Sequence, residues 1–274
     1  MRDFTLYTYK HLLQAFVAAG YRMIAFEDYL TGSYSDTDKV VILRHDVDKR
    51  PEQSLLTAQI EKRLGVRASY YFRIVDESNK PHIIRQIAAL GHEIGYHYED
   101  MTLCKGDKVQ ALQSFISHLA YFRQFYSVRT CCMHGAPAHR YDGRDLWLSA
   151  DGSRVDGGEY DYRRYGLIGE PYFDVDWRKV FYLTDTGGRW DGFCVSVRDK
   201  VSMQGEWERR GWVYHTTDDI VKALSANEGP FAGGKVMITT HPQRWEDRWL
   251  PWLKERVTQT MKNIVKRIII RLGA

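Results

Sequence analysis

The chain has 274 residues, a net charge of +4, and 18 Tyr and 8 Trp. That length suits one large domain, and a single α/β barrel commonly fills it. The slight charge argues against a nucleic-acid binder, which would carry a concentrated basic face. The four cysteines (Cys104, Cys131, Cys132 and Cys194) have neither zinc-finger spacing nor the density of a disulfide scaffold, so they read as free buried thiols.

The opening MRDFTLYTYK lacks an apolar signal core, and no run reaches the length of a membrane span, which reads as a cytoplasmic enzyme. From Thr8 the pattern YKHLLQAFVAAG has helical periodicity, closed by Gly20. A short segment, YRMIAFEDYL, and a polar turn lead to VVILRHDVD, Val40 to Asp48. Its apolar run is that of a parallel strand covered on both faces, and it ends in two carboxylates. Side chains at i and i+2 of a strand share a face, so Asp46 and Asp48 project together while His45 points away.

Pro51 then opens a helix that stops at Gly65, and ASYYFRIV follows as a strand. Pro81 opens a helix closed by Gly91, with the strand HEIGYH after it, ending at His97. A long helix runs from about Asp107 to Tyr126, and RTCCMHGAP is a short strand ending at His134. Between Arg140 and Glu208 the chain is rich in Gly, Asp, Tyr and Trp, with short strands at FYLTDTG and GFCVSVR, and GEPYFD between them reads as a turn. A capped helix, TTDDIVKAL, precedes the strand KVMITTH, which ends at His241, and an amphipathic helix over residues 247–272 closes the chain.

Strand and helix alternate at short intervals, which predicts parallel βα units in one sheet or barrel. The ionisable residues recur at one place in each unit, the carboxyl end of the strand. Asp46, Asp48, His97, His134 and His241 arrive there from four strands, and in an α/β barrel those ends share a cleft. His92 shares its strand with His97 but sits at the opposite end and on the other face, so it reads as structural.

An Asp with two imidazoles is an open coordination set for a divalent cation. Such a cation polarises a carbonyl and acidifies water, while a neighbouring carboxylate and a His move protons. The five residues fill these roles, and the implied reaction is metal-assisted hydrolysis of an amide or ester.

LRHDVD, GHEIGYH, MHGAP and ITTHPQRW, in that order, resemble the motifs of polysaccharide deacetylases of the NodB-homology type, carbohydrate esterase family 4. The resemblance covers roughly Val40 to His241. It implies a deformed (β/α) barrel of mostly parallel strands, here one domain over residues 1–274, and removal of an N-acetyl group from an amino sugar. It carries the catalytic base onto Asp46, a metal ligand onto Asp48, the first metal histidine onto His97 and the catalytic acid onto His241.

The sequence departs from the pattern in three places. Val47 separates the two acids, Met101 stands where a second metal histidine is usual, and the arginine that partners the base is missing from MHGAP. His134 is the first candidate for the third ligand, with Glu99 and Asp100 as rivals. Arg44, Arg73 or Arg244 can replace the arginine. The implied cofactor is a divalent metal, Zn2+ first, with Co2+, Ni2+ or Fe2+ as the others.

Arg244 and Trp245, beside His241, read either as a substrate carboxylate or phosphate clamp with a sugar-stacking ring or as a loop anchored by a buried Trp. Asp185 in LTDTGGRW reads as a polar group near the cleft, a candidate for substrate binding. MKNIVKRIIIRLGA is basic and amphipathic, a pattern that packs on a domain or touches a membrane surface. The partner expected is an amino-sugar substrate, nucleotide- or lipid-linked, with no nucleic acid; the oligomeric state is open. The alternatives are a deformylase or other amide hydrolase on the same scaffold, and a carbohydrate-binding relative without metal, for which Met101 argues.

Overall fold

A computed structural model describes residues 2–135, 140–196 and 198–271. In chain order the elements are α1 (Leu6–Ala18), β1 (Arg22–Ile24), α2 (Phe26–Thr31), β2 (Val40–Val47), α3 (Pro51–Arg63), β3 (Ser69–Phe72), α4 (Pro81–Ala89) and β4 (Glu93–Tyr98). Then follow α5 (Asp100–Leu103), α6 (Lys108–Phe122), β5 (Cys131–Met133), α7 (Pro171–Asp174), β6 (Val180–Thr184), α8 (Gln204–Arg209), α9 (Thr217–Ala226), β7 (Lys235–Thr240) and α10 (Trp249–Arg271). Local chemistry sets most of the boundaries. Thr5 and Asp107 cap α1 and α6 with their side chains, Pro51 and Pro81 open α3 and α4, and Thr216 with Asp219 makes a capping box on α9.

All seven strands pair in parallel in one sheet, in the order β5-β4-β3-β2-β7-β6, with β1 beside the first half of β2. β2 is buried along its whole length because it has neighbours on both edges and side chains packed on both faces. The sheet curls into a half-barrel, flanked by helices. Among the described residues β5 and β6 do not pair with each other. Residues 169 and 170 run beside β5 instead, with Gly169 bridging Thr130 in parallel and the Glu170 carboxylate accepting from the Met133 N–H at 3.1 Å. The fold is a deformed α/β barrel.

Alternation along the strands sorts side chains into two sets. One fills the barrel in layers: Glu93 with Ser69 at the amino end, Arg44 over the Tyr172 ring in the middle, and Asp46 with His97 at the carboxyl end. The other faces the helices. His45 belongs there, 2.7 Å from Glu61 of α3, and Tyr9, Tyr70 and His92 close around the same carboxylate. His92 is thus structural, as its place on the strand suggested. Gly95 of β4 leaves room for Tyr71: a Cβ there would lie 2.3 Å from the Tyr71 ring.

The expected elements appear with shifted ends, and one changes type. Of GFCVSVR, Val197 lies outside the described residues, and Gly192–Val195 forms a 3-10 helix where a strand was expected. The backbone at Gly192 comes so close to the loop after β6 that a Cβ would sit 2.2 Å from the Thr186 carbonyl oxygen. The long helix ends at Phe122, not Tyr126. Cys104, Cys131 and Cys132 are free thiols. Ala136 and Pro137 of MHGAP, and Leu272 at the end of the last helix, lie outside the described residues.

Candidate metal centre and active site

The carboxyl ends of the strands open into a cleft of about 720 Å³, lined by Asp46, Asp48, His97, His134 and His241 among others. The separate strand ends therefore do converge. Three donor atoms form a triangle on its floor. His134 Nδ1 lies 3.2 Å from Asp48 Oδ1 and 3.3 Å from His97 Nε2, and His97 Nε2 lies 3.6 Å from Asp48 Oδ1. Donors bound at about 2.0–2.1 Å to a tetrahedral cation stand about 3.3–3.4 Å apart, so the triangle has the right size.

Three further features fit a cation. Asp48 Oδ1 is buried yet makes no hydrogen bond, an arrangement that ordinarily needs a partner. His97 Nδ1 lies 3.0 Å from the Cys132 carbonyl oxygen, to which it can only donate. That fixes the tautomer and leaves the Nε2 lone pair facing the triangle, the usual support of a ligating histidine. Burial pushes the Asp48 carboxyl up, but His134, His97 and His241 outweigh it and hold it well below the usual range, ionised and ready to ligate.

A second group, Asp46, His97 and Cys132, also lies within ligand range. It fits less well. Burial raises the Cys132 thiol far above its ordinary value, whereas a thiol must ionise to bind metal, and Asp46 is already engaged. Arg44 holds it with two parallel bonds, Nε to Oδ1 at 2.8 Å and Nη2 to Oδ2 at 2.6 Å. Burial opposes ionisation of Asp46, but Arg44 and His97 prevail and keep its pKa below the ordinary value. Of Arg44, Arg73 and Arg244, Arg44 is the one that pairs with Asp46.

His241 stands across the floor, its Nε2 3.9 Å from Asp48 Oδ2. Asp185, at the end of β6, accepts from it twice: from Nδ1 at 2.6 Å and from its backbone N–H at 2.9 Å. Arg244 Nη1 and Trp245 Nε1 also donate to the Asp185 carboxylate, at 2.7 and 2.8 Å. Burial works against the charge on Asp185, yet Arg244 and His241 keep its pKa lowered.

No family model matches the chain, and no curated protein matches it. Among solved structures it is similar to a family 4 carbohydrate esterase from Streptomyces lividans in complex with acetate. The two share 18% identity over 82% of this chain and 88% of that one, with a TM-score of 0.39.

The rivals for the third ligand stand elsewhere. Arg73 binds both oxygens of Glu99 at 2.8 Å, leaving it 4.0 Å from His134 Nε2. Asp100 turns away into a cluster with Tyr96, Ser114 and His118. Met101 is buried in the core.

Of the three expected substrate-binding residues, Trp245 and Asp185 are enclosed and Arg244 lies at the cleft. Trp245 is fully enclosed and packs on Phe4, Tyr9 and Trp190, so it has no face for a sugar. Asp185 is fully buried, with its oxygens spent on His241, Arg244 and Trp245, and it positions other side chains. Arg244 borders the cleft, but its Nη1 serves Asp185.

Other wall residues went unnoticed in the sequence. Gln243 donates to Asp48 Oδ2 at 3.1 Å, and GEPYFD is the capped turn of α7 that brings Tyr172 to the cleft. Lys262 and Lys266 of α10 form the opposite wall. Burial and the neighbouring Arg244 and Lys262 charges lower the Lys266 pKa to about 8.

Proposed function

We propose that the protein is a metal-dependent hydrolase that removes an N-acetyl group from an amino sugar. The observation that carries this reading is the donor triangle of Asp48, His97 and His134, set between an ionised carboxylate on one side and an Asp-supported imidazole on the other. A divalent cation, zinc by the donor set, would supply Lewis-acid polarisation of a carbonyl and a lowered pKa for water.

The chain's own residues divide the proton work. Asp46, kept ionised and aimed by Arg44, accepts the proton of the attacking water as the acetamide carbon becomes tetrahedral. His241, in its imidazolium form, gives a proton from Nε2 to the departing amine. Asp185 accepts from Nδ1 and so orients Nε2 toward the floor. Asp48, His97 and His134 would hold the cation. The products are acetate and a free amine, and the water supplies the atoms that balance the cleavage.

A metal-stripped preparation reloaded with zinc tests the reading when assayed on N-acetylated and N-formylated amino sugars. Acetate release restored by metal supports it. Formate release alone moves the reading to a deformylase, and no release from either with metal bound contradicts it.

A further inference from the structure

Helix α10 is mounted inside out. Its polar residues Glu255, Gln259 and Asn263 are buried against the domain. Asn263 Nδ2 donates to the Gly187 carbonyl at 2.9 Å, and Arg256 Nη2 to that of Gly188 at 2.6 Å, both in the loop that follows Asp185. Its apolar residues face outward instead: Trp249, Leu250, Leu253, Val257, Met261, Ile264, Val265 and Ile268 are 40–74% exposed. At about 100° per residue they fall within one arc of about 160°, opposite the docked face, with Thr260 and Lys254 among them and Arg267 at its edge. A surface helix of a soluble domain ordinarily shows the reverse, and a patch this contiguous marks an interaction surface.

We propose that this face docks in the plane of an anionic lipid leaflet and that the cleft thereby opens onto the membrane surface. The charge pattern selects this occupant. The helix carries Lys254, Arg256, Lys262, Lys266, Arg267 and Arg271 against one acid, Glu255, which is buried on the docked side. Lys254, Lys262 and Arg267 are exposed around the apolar arc, where they meet lipid phosphates as the apolar side chains enter the acyl boundary. A second copy of the helix would set the same basic borders against each other. The helix lies on the surface and does not span it: no described helix is long and apolar enough to cross a membrane. Because Met261, Lys262, Val265 and Lys266 also line the cleft, the docked enzyme receives an amino sugar carried on a lipid; that consequence rests on the hydrolase reading.

Vesicle co-sedimentation tests the docking. The full-length protein is mixed with phosphatidylcholine vesicles, pure or with about one third phosphatidylglycerol. The expected result is binding to the anionic vesicles that salt weakens. It falls about tenfold or more in Val257→Ser/Ile264→Ser/Ile268→Ser and in Lys254→Gln/Arg267→Gln, none of which alters a cleft residue. No binding by wild type overturns the proposal. So does a dimer in sedimentation velocity that the apolar variant dissolves while vesicles fail to bind. Binding without hydrolysis of any amide upholds the docking and removes the hydrolase reading; hydrolysis without binding does the opposite.

Discussion

Asp185 grips His241 at two points, one carboxylate oxygen 2.6 Å from Nδ1 and the other 2.9 Å from the backbone N–H. The residues are neighbours because β6 and β7 pair in register, so their carboxyl ends lie side by side. Asp185→Asn keeps the shape and removes the carboxylate that holds His241 Nδ1. Turnover is expected to fall about 10²-fold with little change in KM, measured by steady-state kinetics. An equal loss in KM alone would assign Asp185 to substrate binding.

The same carboxylate makes a prediction in acid. Its folded pKa lies below the ordinary carboxylate value, so it contributes stability above its unfolded pKa of about 3.9 that is lost as pH falls through the folded one. Chemical denaturation of wild type and Asp185→Asn is therefore expected to show a gap near neutrality that narrows below about pH 4. A gap independent of pH would contradict this.

Arg44 and Asp46 are a buried pair, at 1% and 5% exposure. Arg44→Met strands the carboxylate, which is expected to destabilise the fold by about 3–5 kcal/mol. Arg44→Met/Asp46→Asn is expected to recover much of that while remaining inactive. Thermal unfolding alongside an acetate-release assay separates the two effects; recovered activity in the double variant would remove Asp46 from the chemistry.

Trp245→Phe keeps the packing with Phe4, Tyr9 and Trp190 but loses the bond to Asp185. About 1–3 kcal/mol of stability is expected to go with it, together with part of the turnover. A rise in KM at unchanged stability would restore the sugar-stacking role that its burial argues against.

The strand ends were legible because a parallel strand buried on both faces must turn polar where it leaves the sheet, and Asp46, His97, His134 and His241 all stand at that transition. The Arg44–Asp46 pair was half legible: their i, i+2 spacing puts them on one face, but Arg73 and Arg244 offered the same charge until Glu99 and Asp185 were seen to occupy them. The tie between Asp185 and His241 was not legible because the two lie 56 residues apart in sequence and only strand order joins them. GFCVSVR alternates like a strand, and the close approach of Gly192 to Thr186 that accompanies its 3-10 helix is not visible in sequence. For α10 the periodicity was visible, but which face meets the domain depends on the carbonyls that Asn263 and Arg256 find there.

Metal stoichiometry after equilibration with zinc and removal of excess tests the central claim most directly. About one ion per chain is predicted for wild type and for Glu99→Gln, with loss of about tenfold or more in affinity for Asp48→Asn, His97→Ala and His134→Ala. Wild-type protein that holds no zinc, or variants of those three residues that hold it as tightly as wild type, would contradict the account.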